Sequence, residues 1–226
     1  MNDALTVVLY ALICGVISYL LGSISFAVIF SKLFAKRDVR DSGSGNAGMT
    51  NVLRTIGKLP AVLTLICDLA KAVSAIKISE LIFQSLPFNE AARVGAYIGG
   101  IFVVIGHIFP VFFGFRGGKG VLTCAGVFLV LDWHLCLLSI AIFIVVAFAT
   151  GYVSLGSILA MVAAPISTLI VGFTLRADML MPRTVIWQTI FLAFIAGISI
   201  FMHRENIKRL ISGTENCFKN KKKVEK

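Results

Sequence analysis

The chain has 226 residues, of which 58% are hydrophobic and only 14% charged, and its mean hydropathy is +0.94. A water-soluble domain needs more polar surface than this composition supplies, so a soluble enzyme or binding module is excluded and an integral membrane protein is indicated. The net charge of +10 does not imply nucleic acid, because the basic residues occupy breaks between apolar runs and a polar tail rather than one soluble face.

Membrane lipid and phosphate-bearing small molecules fit that charge pattern better. Taken in chain order, the apolar runs predict spans near Leu5–Phe30, Leu59–Phe83, Val94–Phe113, Val121–Leu131, Leu135–Ala149, Val153–Leu175 and Val185–Met202. The expected fold is therefore an all-α polytopic membrane protein of seven transmembrane helices, with the fourth and fifth short. A single long span, or a re-entrant pair interrupted at Asp132-Trp133-His134, is the alternative for that short pair. The first run lacks a basic n-region and is too long for a cleaved signal, so it is expected to remain as the first span.

Orientation follows from the basic residues. With seven spans and the N-terminus outside, the cytoplasmic segments collect sixteen of the 21 lysines and arginines, including Lys36, Arg54, Lys119 and the tail, while Arg93, Arg176 and Arg183 fall outside. The positive-inside rule then places the C-terminus in the cytoplasm. The chain reads as one membrane domain, residues 1–226, with a basic cytoplasmic tail at about 204–226. It carries no internal repeat of the kind that marks many secondary transporters.

Several segments carry chemistry. In the first span, Ser23 and Ser25 lie in Gly22-Ser-Ile-Ser-Phe-Ala27, where small hydroxyl residues serve either helix packing or a site at the cytoplasmic end. The first loop holds GSGNAGMTNVLR, Gly43 to Arg54. Its glycines let backbone N–H groups converge, Ser44, Asn46, Thr50 and Asn51 add hydrogen bonds, and Arg54 can grip phosphate oxygens in bidentate fashion. The same residues also supply ordinary turn geometry. In the second span, Asp68 and Lys71 stand three residues apart and can pair, supporting a site rather than acting as catalysts.

The segment GHIFPVFFGFRGGKGVLT, Gly106 to Thr123, sets Lys119 between glycines at the start of an apolar run. Lys119 beside the first N–H groups of the next helix would make an anion site, with close ligand approach at the two preceding glycines. A positive-inside anchor in a tight turn is the plainer reading. His107 reads as a structural histidine bonding across helices. Ser154 and Ser157 open the sixth span, again as packing or site residues. After the last span, HRENIKRLISGTE places His203 and Asn206 on one side of a helical continuation, where they could converge on one ligand.

His107, His134 and His203 are followed five positions later by Phe112, Ser139 and Lys208, so the histidine-x4-aspartate acyltransferase motif is absent. So are H-E-x-x-H and G-x-S-x-G. The five cysteines lack C-x-x-C spacing, and four lie inside apolar runs. No metal site is expected.

Together, GSGNAGMTNVLR, GHIFPVFFGFRGGKG and HRENIKRLISGTE resemble the motifs of the bacterial acyl-phosphate-dependent glycerol-3-phosphate acyltransferases, the PlsY family. The likeness covers nearly the whole chain. One departure is Ser25, where members often carry proline after Gly-Ser-Ile, and it bears on how the first helix bends. The resemblance implies transfer of a fatty acyl group from acyl phosphate to the sn-1 hydroxyl of glycerol-3-phosphate, giving lysophosphatidic acid and inorganic phosphate. It implies no cofactor and a place in the bacterial cytoplasmic membrane, with the site facing the cytoplasm. By resemblance, Arg54 and Lys119 hold phosphate oxygens, and Ser44, Thr50, Ser154 and Asn206 orient glycerol-3-phosphate. His203 is either a general base or a hydrogen-bond donor, and Ser157, Ser23 and Asn46 are lesser candidates. A carrier or channel for a small phosphorylated metabolite is the rival class, separable by whether lipid product forms.

Overall fold

The computed structural model describes residues 3–174 and 181–219, and every regular element among them is helical. Six stretches are long and apolar enough to cross a membrane: Ala4–Ala35, Lys58–Phe83, Ala91–Phe113, Trp133–Thr150, Val153–Thr174 and Pro182–Met202. A shorter apolar helix spans Val121–Leu131. The expected end of the sixth span at Leu175, the outer marker Arg176 and the lysine-rich end from residue 220 lie outside the described residues.

The first of these stretches is not one helix. Helix α1 (Asp3–Gly22) and helix α2 (Phe26–Ala35) are separated at Ser23-Ile24-Ser25, inside the expected Leu5–Phe30 span. No proline is needed, because tertiary contacts hold the break. Gly22 packs so close to Val103 that a Cβ would collide with its carbonyl oxygen, Ser23 Oγ accepts from Val111 N at 3.3 Å, and Ile24 O accepts from Lys71 Nζ at 2.7 Å. Helix α2 runs on to Ala35, past the expected end at Phe30, and Lys36 closes it in a left-handed conformation.

A short 3₁₀ turn (Val39–Asp41) leads to α3 (Met49–Thr55), α4 (Lys58–Phe83), α5 (Ala91–Ile108), a second 3₁₀ turn (Val111–Phe113) and α6 (Val121–Leu131). These lie in a first compact unit, Met1–Leu131, in which α5 packs on α1 and α4, and α6 on α4. Without a hydrophobic driving force between helices in lipid, close packing needs small residues. Gly106 of α5 accordingly sits where a Cβ would collide with Tyr19 O of α1, and Ser18 and Ser79 share a buried hydrogen bond of 3.2 Å. Beneath the first loop, Val39 and Ala47 are buried with Val28, Val52 and Ala61, and Phe113 packs against them. Burying a valine is worth about 1.5 kcal/mol or more, so this cluster fixes the loop from below.

The second compact unit, Asp132–Lys226, holds α7 (Trp133–Thr150), α8 (Val153–Thr174), α9 (Pro182–Met202) and α10 (Arg204–Ile211). Helix α7 was expected to be short, from Leu135 to Ala149, but it has 18 residues. Asp132 explains the difference: it is extended, and its side chain accepts from His134 N at 3.1 Å and Leu135 N at 3.4 Å. Of the polar triplet expected to interrupt the apolar run, only Asp132 is non-helical, as N-cap, and Trp133 and His134 form the first turn. That conformation also rules out one continuous helix across residues 121–149. Helix α8 packs on both α7 and α9.

Candidate active site

In the first unit the loop motif divides its polar residues between two tasks. Asn51, buried in the first turn of α3, accepts from Ser44 N at 3.0 Å and donates to Val39 O and Ser42 O at 2.9 Å each. It latches the loop rather than waiting for an anion. Gly43, at φ +63, turns the chain beside Asn51 and Thr55, where a side chain would be strained and crowded. Asn51 and Thr55 therefore form the inward face of α3. Thr50 and Arg54, also four residues apart, share the neighbouring face.

The loop cations divide in the same way. Arg37 Nη2 donates to Thr55 O, tying down the end of α3. Arg40 forks onto Asp38, with Nε to Oδ1 at 3.0 Å and Nη2 to Oδ2 at 2.8 Å, while its Nη1 donates to Phe113 O at 2.6 Å and Arg116 O at 3.0 Å. The adjoining Arg40 guanidinium holds the Asp38 carboxyl below its ordinary range. Arg54, by contrast, is half-buried and makes no hydrogen bond or ion pair among the described residues, and the same holds for the side chains of Ser44, Asn46 and Thr50. The structure thus leaves the motif arginine with its donors available, one helical turn from Thr50.

Lys119 lies in irregular chain just before α6, half-buried. Gly117 N donates to Ile108 O and Gly118 N to His107 O, both at 3.1 Å. A Cβ on Gly117 would collide with His107 O, and one on Gly118 with His107 Nε2, at only 2.8 Å from Ala47 O. The expectation that these glycines admit a ligand is corrected, because the close approach they permit is to the chain itself. Ser23 is fully buried at the α1–α2 break and is bonded to Val111 N, so it braces the second loop.

In the second unit the organising group is Glu215, to which sequence reasoning assigned no role. Its side chain is 6% exposed, and it accepts from Ser154 Oγ at 2.8 Å, Asn206 Nδ2 at 2.7 Å and Arg209 Nε at 2.7 Å. Ser154 and Asn206 are thereby brought together. Burial pushes the Glu215 carboxyl up, but its donors on Asn206, Arg209 and Ser154 outweigh that and hold it below the usual range. The available signal was Ser212-Gly213: Gly213, at φ +69, ends α10, so Thr214 N and Glu215 N both reach Arg209 O.

His203 caps α9 and starts α10. It is buried and its Nδ1 donates to Ser199 O at 2.8 Å, which fixes the ring. His203 and Asn206, three residues apart, are both buried along one side of α10, as their spacing predicted. Ser157 is also buried, but its hydroxyl donates to Val153 O of its own helix at 3.0 Å. Among the described residues, no cluster of three or more histidine, cysteine or acidic side chains could hold a metal ion.

Known proteins match this chain along most of its length. The family model described as "Glycerol-3-phosphate acyltransferase" covers residues 12–213. A glycerol-3-phosphate acyltransferase of Clostridioides difficile (strain 630) is 40% identical over 211 residues, 93% of this chain and 97% of that one. One from Coxiella burnetii (strain CbuG_Q212) is 42% identical over 204 residues, 90% and 96% of the two chains. Among solved structures, the glycerol 3-phosphate form of PlsY, an integral membrane glycerol 3-phosphate acyltransferase, matches with a TM-score of 0.77 at 34% identity over 92% of this chain and 95% of that one. Its lysophosphatidic acid form matches at 0.75 and 33%, with the same coverage. The chain belongs to the glycerol-3-phosphate acyltransferase family.

Proposed function

We propose that the protein transfers a fatty acyl group from acyl phosphate to the sn-1 hydroxyl of glycerol-3-phosphate, releasing inorganic phosphate and lysophosphatidic acid for phospholipid synthesis. The carrying observation is the division of labour in the first loop, where Arg37 and Arg40 are spent on backbone carbonyls while Arg54 keeps its donors for an anion. Family membership and the relatives' named substrate support the acceptor. The acyl phosphate donor is supported by chemistry: phosphate is a good leaving group, so transfer needs positioning and charge stabilisation more than a covalent intermediate.

In this reading the hydroxyl oxygen attacks the acyl carbonyl carbon, the carbon–oxygen bond to phosphate breaks, and the hydroxyl proton passes to a phosphate oxygen of the substrate. Arg54 and Lys119 hold phosphate oxygens and stabilise the departing charge. Ser44, Thr50, Ser154 and Asn206 orient glycerol-3-phosphate, with Asn46, Ser157 and Ser23 in supporting roles. His203 orients by hydrogen bonding. Its Nδ1 donates to the Ser199 carbonyl, which fixes the ring for that role.

The chain is further proposed to be one membrane domain of seven spans, counting α6, with the N-terminus outside and both the site and the C-terminus at the cytoplasmic face of a bacterial inner membrane. The bias of basic residues supports this orientation. A reporter fused after residue 219 should be cytoplasmic, and an external tail would overturn it.

Purified protein given acyl phosphate and glycerol-3-phosphate should release inorganic phosphate and form lysophosphatidic acid in equal amounts. Movement of glycerol-3-phosphate across vesicles with no lipid product would replace the acyltransferase reading with a carrier.

A further inference from the structure

Lys71 and Asp68 are 5% and 1% exposed within a membrane-spanning helix. Burying two charges there is costly, and apolar residues of similar size would often serve stability as well or better. The pair needs another explanation. Lys71 Nζ has three close polar neighbours: Asp68 Oδ1 at 2.8 Å, Ile24 O at 2.7 Å and His107 Nδ1 at 3.0 Å. Asp68 Oδ1 has no directed hydrogen-bond donor among the described residues, so its compensation is the ion pair itself.

An ammonium only donates, so His107 Nδ1 accepts and the imidazole carries its proton on Nε2. The ring is then held by Lys71 at one end and abuts Gly118 at the other, where no Cβ would fit. The His107 carbonyl accepts from Gly118 N and lies against Gly117. Lys119 is the next residue, and Gly120, at φ +84, leads into α6. The strap is therefore packed closely on both the His107 ring and its carbonyl, immediately before Lys119.

We infer that Lys71, with Asp68 and His107, is a positioning device for Lys119: the buried cation sets the imidazole against which the Gly117–Gly118 strap is seated. This rests on Lys119 acting in acyl transfer, as proposed above. In this inference the three side chains act through Lys119 rather than on the substrate.

The test uses full-length protein in lipid nanodiscs with acyl phosphate and glycerol-3-phosphate. Asp68→Asn/Lys71→Met removes both charges together and leaves no uncompensated ion. It should fold yet lose about 30- to 100-fold in kcat, the scale of a misplacement near 1 Å, with KM for glycerol-3-phosphate within about threefold. In that background Lys119→Ala should cost less than about fivefold, against roughly 100-fold in the native chain, because coupled residues are not additive. His107→Asn keeps an acceptor for Lys71 but withdraws the ring from Gly118. It should show the same split and the same non-additivity, and it decides the matter if the double variant does not fold. Near-native kcat in either variant, or Lys119→Ala at its full cost in both, overturns the inference. If Lys119→Ala alone is near native, the role of Lys119 in the proposed function fails instead.

Discussion

Arg40 donates from Nη1 to the carbonyl oxygen of Arg116 at 3.0 Å, so the first loop grips the main chain of the second three residues before Lys119. The same nitrogen holds Phe113 O, and the rest of the guanidinium is locked on Asp38. The loop that leads into α3, the helix of Arg54, is thus tied to the loop that carries Lys119 within the first unit.

Arg40→Lys keeps the charge but cannot fork onto Asp38 and both carbonyls at once. Loss of charge-assisted hydrogen bonds of this kind costs roughly 1.5–3 kcal/mol, and turnover should fall at least ~10-fold as the loops part. Thermal unfolding and steady-state kinetics read the two effects. Native values for both would remove Arg40 from the account.

Lys119→Ala should reduce turnover at least ~100-fold, as expected when a preorganised charge is removed from developing negative charge. Its unfolding temperature should stay near native, because Lys119 is half-buried in a loop and its loss opens no core cavity. Lys119→Arg should rescue only in part, since a wider planar group must fit beside Gly118, which is wedged against His107 and Ala47. A folded Lys119→Ala enzyme with ordinary turnover would remove Lys119 from the phosphate site.

His203→Gln separates orientation from proton transfer. Glutamine retains hydrogen bonding but is no base near neutral pH. With the substrate's own phosphate as acceptor, the variant should keep turnover within about tenfold of native and an unchanged acidic limb in its pH–rate profile. A loss of 100-fold or more together with a vanished acidic limb would make His203 the base.

Glu215 links stability to pH. Its folded carboxyl titrates below its ordinary value, so it contributes stability above the usual glutamate value of about 4.3, and this is lost as pH falls through the lower folded value. Glu215→Gln should therefore be less stable than the native protein at neutral pH, with the gap closing under acid. Unfolding temperatures measured for both from pH 7 downward would show this. A gap that stays constant with pH would mean the carboxylate charge contributes nothing.

Much of this was legible because charge and amide groups stand out in an apolar chain. The run containing Asp68 and Lys71 marked an intramembrane pair, and the loop motifs marked Arg54, Lys119, His203 and Asn206. What escaped depended on distant partners or on helix phase. The break at Ser23–Ser25 carries no proline, and its supports, Val103, Val111 and Lys71, are remote in sequence. Asn51 and Thr50 look alike as neighbours in a polar loop, and only the phase of α3 turns one inward and leaves the other beside Arg54. Glu215 lies beyond α10 and is returned by the left-handed turn at Gly213, a local signal that was present but weak.

The α1–α2 break also carries an implication for the order of synthesis. Residues 3–35 leave the ribosome well before Lys71 does, and the Ile24 carbonyl that Lys71 caps is one that a continuous helix would pair with the N–H four residues ahead. An uncapped carbonyl within the apolar stretch, even near its end, is costly. The first apolar stretch therefore enters the bilayer most cheaply as one straight helix, and the bend forms only when α4 arrives with its cation. A peptide of residues 3–35 alone, in micelles, should be helical straight through Ile24, so the kink belongs to the assembled fold and not to the segment that displays it.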